Sequence, residues 1–455
     1  MRDPEKQVPP PSRSFAEVLN HDCYCRTLNA DHLRELLERD ANAQGLMQGI
    51  GHTRPHMFSS TAVFLTKNMA GKIADAVAAI ERVIRLPGYV AQALSRAPEI
   101  ANHAENTRGV CMGYDFHLDK DGPKLIEINT NAGGLLLNGA LARAQVSCCE
   151  AMNWAFEPNM AIEELEKTAF RMFVNEWKLQ KGEESLGLIA ILDDKPSEQY
   201  LAPEFELFKQ LFRSNGVEAI IVDPSELQYI EGKLLYGSQT VDMVYNRLTD
   251  FYLEESSHWA IRQAYDADAV VLTPSPHVYA LYANKRNLIA LSNDALLAEW
   301  GATQEDRATL KAVVPETFLV SNAQADLLWN RRKHLFFKPS TGYGAKAAYR
   351  GDKLTKRVWN EILAGDYVAQ ALVSPSERLI EVDGVCKGLK FDVRAYTYDG
   401  QIQLLAARMY TGQTTNFRTQ GGGFAPVIIA NSFCSGWGNV HGRSSVTRLA
   451  ESDHV

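Results

Sequence analysis

GYDFHLDKDGPKLIEINTNAGG, residues 113–134, is the stretch on which the reading of this chain turns. Residues 114–118 alternate well enough for a half-buried strand. Lys120, Asp121 and Gly122 supply a turn, and residues 125–128 return. Side chains two apart on a strand share a face, so Glu127 and Asn129 point into the same space, and Asp115 can join them from the partner strand. Two carboxylates and an amide oxygen suit a soft metal poorly. They form a good partial shell for Mg²⁺, which keeps waters and takes its remaining ligands from phosphate. The glycines after Asn131 leave room for something bulky. The other reading of these residues alone is a solvated hairpin edge with ordinary acidic side chains, and the far end of the chain bears on the choice.

There, FFKPSTGYGAK (residues 336–346) puts Lys338 at a strand end before a glycine turn. Backbone N–H groups in such a turn can form a nest for phosphate oxygens, with the lysine as a point charge. The lysine precedes the glycines, so this is not a Walker A loop. KFDVR (residues 390–394) places Lys390, Asp392 and Arg394 on one strand face, with Phe391 and Val393 on the other. Such a face is either solvated or meets an anion and its metal. Asp399-Gly400 is a strong hairpin signal between strands 388–398 and 401–410, and Arg408 stands near the end of the second. Asn416, Arg418 and the Gly421-Gly422-Gly423 loop follow.

Between these ends, residues 15–90 read as helical, most clearly over 68–86, where Met69, Ile73, Val77, Ile80 and Val83 recur at helical spacing. His52 and His56 stand in a loop between helices, where surface polarity competes with ligation. Residues 136–181 are expected to be largely helical. Continuous apolar runs at 186–192, 217–222, 241–245 and 269–272 alternate with helical pattern and end in polar residues. They predict an open α/β sheet with ligands outside the carboxyl ends of its strands. Residues 277–310 look helical. Strands 335–338, 345–350 and 367–372 with a helix over 355–362 make a small α+β lid. The expected units are a loose tail 1–14, a helical region with the acidic hairpin 15–185, an open α/β domain 186–310, a lid 311–373, and a core sheet with C-terminal tail 374–455.

The chain has 455 residues, ordinary apolar content and a formal net charge of −8. That size permits two or three domains, and that charge argues against a general nucleic-acid or membrane surface. Arg331-Arg332-Lys333 is the densest basic cluster and reads as a solvated loop. Seven cysteines in no framework spacing, including Cys148-Cys149 in an apolar helical run, imply reduced thiols. No apolar run suffices for a membrane helix and residues 1–14 lack a signal-peptide core, so the expected location is cytoplasmic.

The order Lys285, Lys338 with its glycine loop, 367–372, Asp392-x-Arg394, Arg408 and Asn416 with GGG resembles the ATP-grasp ligases. That family continues into a Gly-x-Asp strand and a final Glu-x-Asn. Here those pieces stand early, as Gly113–Asp115 and Glu127–Asn129, so the chain looks like a circularly permuted ATP-grasp protein. It is similar to glutathionylspermidine synthetase and eukaryotic-type glutathione synthetase over residues 100–135 and 186–430. The resemblance implies that Glu127 and Asn129 hold Mg²⁺, with Asp115 or Asp392 as a further carboxylate, Gln420 being uncharged where one is looked for. It implies that Lys285 and Lys338 contact ATP phosphates under Gly342 and Gly344. Gln370, Ala371 and Leu372 would be the hinge that meets adenine, with Glu377 as ribose partner and Asn416 in the nucleotide site. Arg394 and Arg408 would meet the transferred phosphoryl group and the carboxylate being activated.

The implied activity is an ATP-dependent carboxylate–amine ligase working through an acyl phosphate on small-molecule substrates, releasing ADP and phosphate. The chain offers no Ser/His/Asp or Cys/His constellation, and this chemistry needs no nucleophilic side chain. A kinase acting on a hydroxyl and a nucleotide-binding module without turnover are the alternatives. The sequence leaves the acid, the amine and the oligomeric state open. Arg54, His56, Asn246 and Arg247 are candidates for an acceptor pocket or for structural roles.

Overall fold

The computed structural model describes residues 14–39, 45–103, 106–147, 160–342, 344 and 346–430. Residues 1–13 of the expected tail 1–14, Cys148-Cys149 and the polar C-terminus lie outside them, and Ser14 caps helix Phe15–Asp22.

The centre is a seven-stranded sheet in the order Val63–Thr66, Gly423–Ala430, Gln401–Tyr410, Val385–Tyr398, Met112–Asp119, Gly122–Asn129, with Ser376–Val382 also paired to Val385–Tyr398. The acidic hairpin is thus joined edge to edge with the late hairpin. Met112–Asp119 runs antiparallel to Val385–Tyr398, with Asp115 opposite Arg394. Alternation divides the chemistry cleanly. Tyr114, Phe116, Val393, Ala395, Ala407 and Met409 belong to one buried cluster with Ile73, Val77, Ile80 and Val83 of helix Lys67–Ile84. Their strand neighbours Asp115, Asp392, Arg394 and Arg408 therefore point to the opposite face.

The four predicted apolar strands form a parallel sheet ordered Val271–Thr273, Met243–Asn246, Leu188–Leu192, Glu218–Val222. Leu188–Leu192 is buried throughout, as a strand covered on both faces must be. The unit expected as a lid is a four-stranded antiparallel sheet of Thr317–Leu319, Tyr367–Ala371, Leu335–Pro339 and Tyr349–Arg350. Thr355 caps its helix Lys356–Ala364, which packs Trp359 and Ile362 against Phe337 and Ala369.

Several elements depart from expectation. The strand foreseen over 345–350 shrinks to Tyr349–Arg350. The helical region contains strand Val63–Thr66, parallel to Gly423–Ala430. A three-stranded meander, Leu227–Ile230, Lys233–Tyr236 and Gln239–Thr240, is inserted in the α/β unit. Ser376–Val382 is a further strand, ahead of the expected hairpin. Among the described residues, no helix is long and apolar enough to cross a membrane.

Candidate active site

Register builds the centre of the site. Asp115 opposes Arg394, and Asp392 opposes Arg408 on the next strand, so cross-strand neighbours become ion pairs. Arg394 donates twice to Asp115, Nε to Oδ1 at 2.6 Å and Nη2 to Oδ2 at 2.7 Å. Arg408 donates to Asp115 Oδ2 at 2.8 Å and to Asp392 Oδ1 at 2.7 Å. Thr415 donates to the remaining Asp392 oxygen. Two carboxylates and two guanidiniums balance in a compact lattice. Gly113 makes room for it, because a Cβ there would stand 2.5 Å from Ala132 Cβ and 3.2 Å from Arg394 Nε. Burial works against charge on Asp115, yet Arg394 and Arg408 outweigh it and hold its carboxyl below the usual range. Burial likewise opposes charge on Arg408, yet Asp115 and Asp392 outweigh it and hold its guanidinium above the usual range.

Beside the lattice stand two lysines and a second acid. Lys338 is 6% exposed and donates to Ile126 O at 2.7 Å and to Gln370 Oε1 at 2.8 Å. Burial brings its ammonium down to about 8, against the pull of Glu127. Lys285 donates to Gly342 O at 2.9 Å and stands 3.7 Å from Glu127 Oε2. For Glu127, burial favours the acid form, but Lys285 and then Lys338 and Arg408 bring its carboxyl below the ordinary value. Asn129 Nδ2 donates to Asp115 Oδ2 at 3.0 Å and, weakly, to Glu127 Oε1 at 3.4 Å. This orientation leaves its Oδ1 for another partner.

These residues open into one cleft of about 650 Å³ between the core sheet and the lid. Its lining includes Asp115, Glu127, Asn129, Lys285, Lys338, Gly342, Gly344, Gln370, Ala371, Leu372, Arg394, Arg408 and Asn416. Eight lysines and arginines line it against three carboxylates, so a cleft in a net-negative chain is itself strongly cationic. The N–H groups of Ala371 and Leu372 already donate to Glu316 O and His334 O. Asn416 organises its own loop, donating to Thr411 O and Thr414 O.

Other expected residues lie elsewhere. Glu377 is exposed and outside the lining: its register partner is Lys390, so it shares the cleft face of the sheet, but it stands on the edge strand Ser376–Val382, beyond the residues that line the cleft. Gln420 bonds Asp383 instead. Asn246 and Arg247 are buried and bond Pro274 O and Asn131 O. Arg54 ties down the Gln199 and Tyr200 carbonyls. His52 and His56 do not line the cleft.

The lining also holds residues to which the sequence motifs assigned no role. His117 shares the cleft face two positions after Asp115. Its ring bonds Val373 O at 3.0 Å and the Tyr410 hydroxyl at 3.4 Å, which links the segment after Tyr367–Ala371 to the core sheet. Its alternation with Asp115 was the available signal. Lys346 and Arg350 come from the lid and Arg418 from the last loop.

The donor set fits a hard cation in part. Among the described residues no three His, Cys, Asp or Glu side chains gather as a metal site. Asp115 and Asp392 are both taken up by arginine. Glu127, 29% exposed at its side chain, and the free Oδ1 of Asn129 remain. Two oxygens suit a Mg²⁺ that arrives with phosphate and water as its other ligands.

The fold is ATP-grasp-like, similar to that of a glutathione synthetase-like protein of known structure. Among solved structures it matches the apo form of a glutathione synthetase-like effector, GSS30, from Globodera pallida. The TM-score is 0.52 at 9% identity over 82% of this chain and 90% of that one. A provisional gamma-glutamylcysteine synthetase from Methylobacillus flagellatus KT aligns over 78% of this chain and 86% of that one, at TM-score 0.43 and 9% identity. The D-cycloserine synthetase DcsG aligns over 53% of this chain and 90% of its own, at TM-score 0.29 and 14% identity. Neither a family model nor a curated protein matches the sequence.

Proposed function

We propose that the protein is an ATP-dependent carboxylate–amine ligase with the ATP-grasp parts in circularly permuted order, acting in the cytoplasm on small-molecule acids and amines. One observation carries the reading. An acidic hairpin and a pair of arginines 279 and 293 positions away from Asp115 converge on a single cationic cleft that also receives Lys285 and Lys338. A cleft with that surplus of positive charge suits a triphosphate together with an anionic acid. The edge pairing of the hairpin with Val385–Tyr398 supports the rotated order. The four described cysteines are free thiols, as suits a reducing compartment.

In this reading Lys285, Lys338 and the N–H groups around Gly342 and Gly344 hold the phosphates. The 370–373 segment faces the base, with Ala371 and Leu372 N–H groups already engaged. Glu127 and Asn129 would hold Mg²⁺, which would supply neutralisation of the phosphate charge. Arg394 and Arg408, locked by the two aspartates, present their remaining N–H groups to the acid. A carboxylate oxygen attacks the γ-phosphorus and the bond to ADP breaks. An amine nitrogen then attacks the acyl carbon, loses a proton, and expels phosphate. The protein's share is alignment and fixed charge, and closure of the lid against water.

Hydroxylamine added to a turnover mixture is expected to yield a hydroxamate, in step with ADP release, once the correct acid is present. A kinase acting on a hydroxyl yields a phosphate ester and no hydroxamate. Tight ATP binding with no ADP release under any mixture of acids and amines points instead to a binding module. Lys338 supplies a pH test. Its ammonium is charged below about 8 and neutral above, so ATP affinity, measured by fluorescence titration, is expected to fall as pH rises through that value. In Lys338→Met the fall should vanish and affinity should be low throughout. An unchanged profile in the variant contradicts the phosphate role.

A further inference from the structure

Behind the glycine loop lies a second cavity, of about 360 Å³, at the low end of the range for small-molecule sites. It shares no lining residue with the cleft. The wall between them is the 284–286 turn and the start of the glycine loop. Asn284, Arg286 and Thr341 face the second cavity, whereas Lys285 and Gly342 face the cleft and are bonded to each other at 2.9 Å.

The charges lining this cavity can be paired off. Asp366 is held by Arg286, at 2.6 and 2.9 Å, and by the Ser340 hydroxyl at 2.7 Å. Asp250 is held by the His258 ring at 2.8 Å and by the Glu255 N–H. His258 bonds Asp194 on its other nitrogen at 2.9 Å. Two groups are left over. Arg96 donates only to the Asn287 amide oxygen, at 3.2 Å. Glu254 is exposed at the rim. Among the described residues neither has an opposite charge within ion-pair distance.

A second observation is independent of those charges. Tyr252 and Tyr279 line the cavity, are 8% and 3% exposed, and carry buried hydroxyls with no hydrogen-bond partner. They come near Asn284 and the Gly342 backbone respectively, at geometry short of a hydrogen bond. Buried hydroxyls are rarely left so. Phe251, stacked on Tyr279 with centroids 3.9 Å apart, adds an apolar wall.

One unpaired cation, one unpaired anion, two unsatisfied hydroxyls and an aromatic wall describe a receptor for a molecule bearing both charges. We propose that this cavity is a second small-molecule site, for a zwitterion of the free amino-acid class. Its carboxylate faces Arg96, its ammonium faces Glu254, and the tyrosine hydroxyls take up remaining hydrogen bonds. The inference does not depend on turnover in the cleft, so the test omits nucleotide.

The full-length protein is titrated calorimetrically with glycine, L-serine, L-glutamate and L-phenylalanine, and with ethylamine and acetate as the two halves of a zwitterion. At least one amino acid is expected to bind ten-fold or more tightly than either half. Glu254→Gln and Arg96→Gln should each weaken that binding at least ten-fold, with melting curves unchanged, since both side chains are exposed and unpaired. Tyr279→Phe should weaken it less. The proposal is overturned if none of the four amino acids binds at millimolar concentration, if ethylamine or acetate binds as well, or if both charge substitutions leave affinity unaltered.

Discussion

Asp115→Ala is expected to lower folding stability by about 3–5 kcal/mol, the usual cost of breaking a buried ion pair from one side. The carboxylate is 1% exposed and receives three hydrogen bonds from two guanidiniums. Without it, Arg394 loses its bidentate partner and Arg408 keeps only Asp392, in a cleft already crowded with positive charge. Urea denaturation of parent and variant measures the effect directly. A loss below about 1 kcal/mol, typical of an exposed pair, shows that the lattice is not bearing on the fold. The pH dependence has a definite sign. Asp115 is held below its unfolded value of about 3.9, so its stabilisation is complete above that pH and disappears as pH falls through the folded value. The stability gap between parent and Asp115→Asn should therefore stay level near neutrality and narrow only in acid. The same geometry also alters the expected metal shell. A carboxylate spent on two arginines serves better as the part that orients them than as a ligand.

Much of this arrangement is legible in the residues, and the illegible parts share a cause. The acidic hairpin, the Asp399-Gly400 turn and the parallel strands all carry local signals: a two-residue turn, alternation, or a continuous apolar run. Ser376–Val382 carries none, because a core position on that strand is filled by Arg378. Its guanidinium is buried while it donates to Leu19 O, Asn20 O and Ala62 O, so the apolar alternation that marks a strand is broken. Val63–Thr66 is four residues beside a long helical pattern, and its partner lies at the other end of the chain. The meander is edge-like and largely exposed, so burial writes little pattern into it. For the site, residue type and spacing pointed to the charged groups. Which carboxylate each arginine meets depends on strand register across nearly three hundred positions, and no local signal encodes that. Glu377 shows the limit from the other side, since it shares the cleft face with its register partner Lys390 and yet, on an edge strand, stands outside the lining.

Glu127→Gln should separate function from fold. The amide keeps the shape of the side chain and removes its charge, and little of the structure leans on that charge. Lys285 stands 3.7 Å away and Asn129 offers only a 3.4 Å contact, in contrast to the close pairs around Asp115. Thermal stability should change little. ADP release should fall about 100- to 1,000-fold, the range seen when one fixed electrostatic group is taken from a transition state. ATP binding should also lose most of its dependence on Mg²⁺, because the ion is then left with two neutral amide oxygens and no carboxylate from the hairpin. The neighbouring lysines sharpen the expectation. Glu127 is the carboxylate that resists the lowering of the Lys338 ammonium, so its loss moves that group further down and the pH limit on ATP binding shifts lower with it. The amide variant should thus show weaker metal dependence and an earlier alkaline fall together. Near-parental ADP release with an intact Mg²⁺ dependence would remove Glu127 from the metal-binding role and leave Asn129 as the hairpin's only free oxygen donor, too little to hold the ion that this reading of the cleft requires.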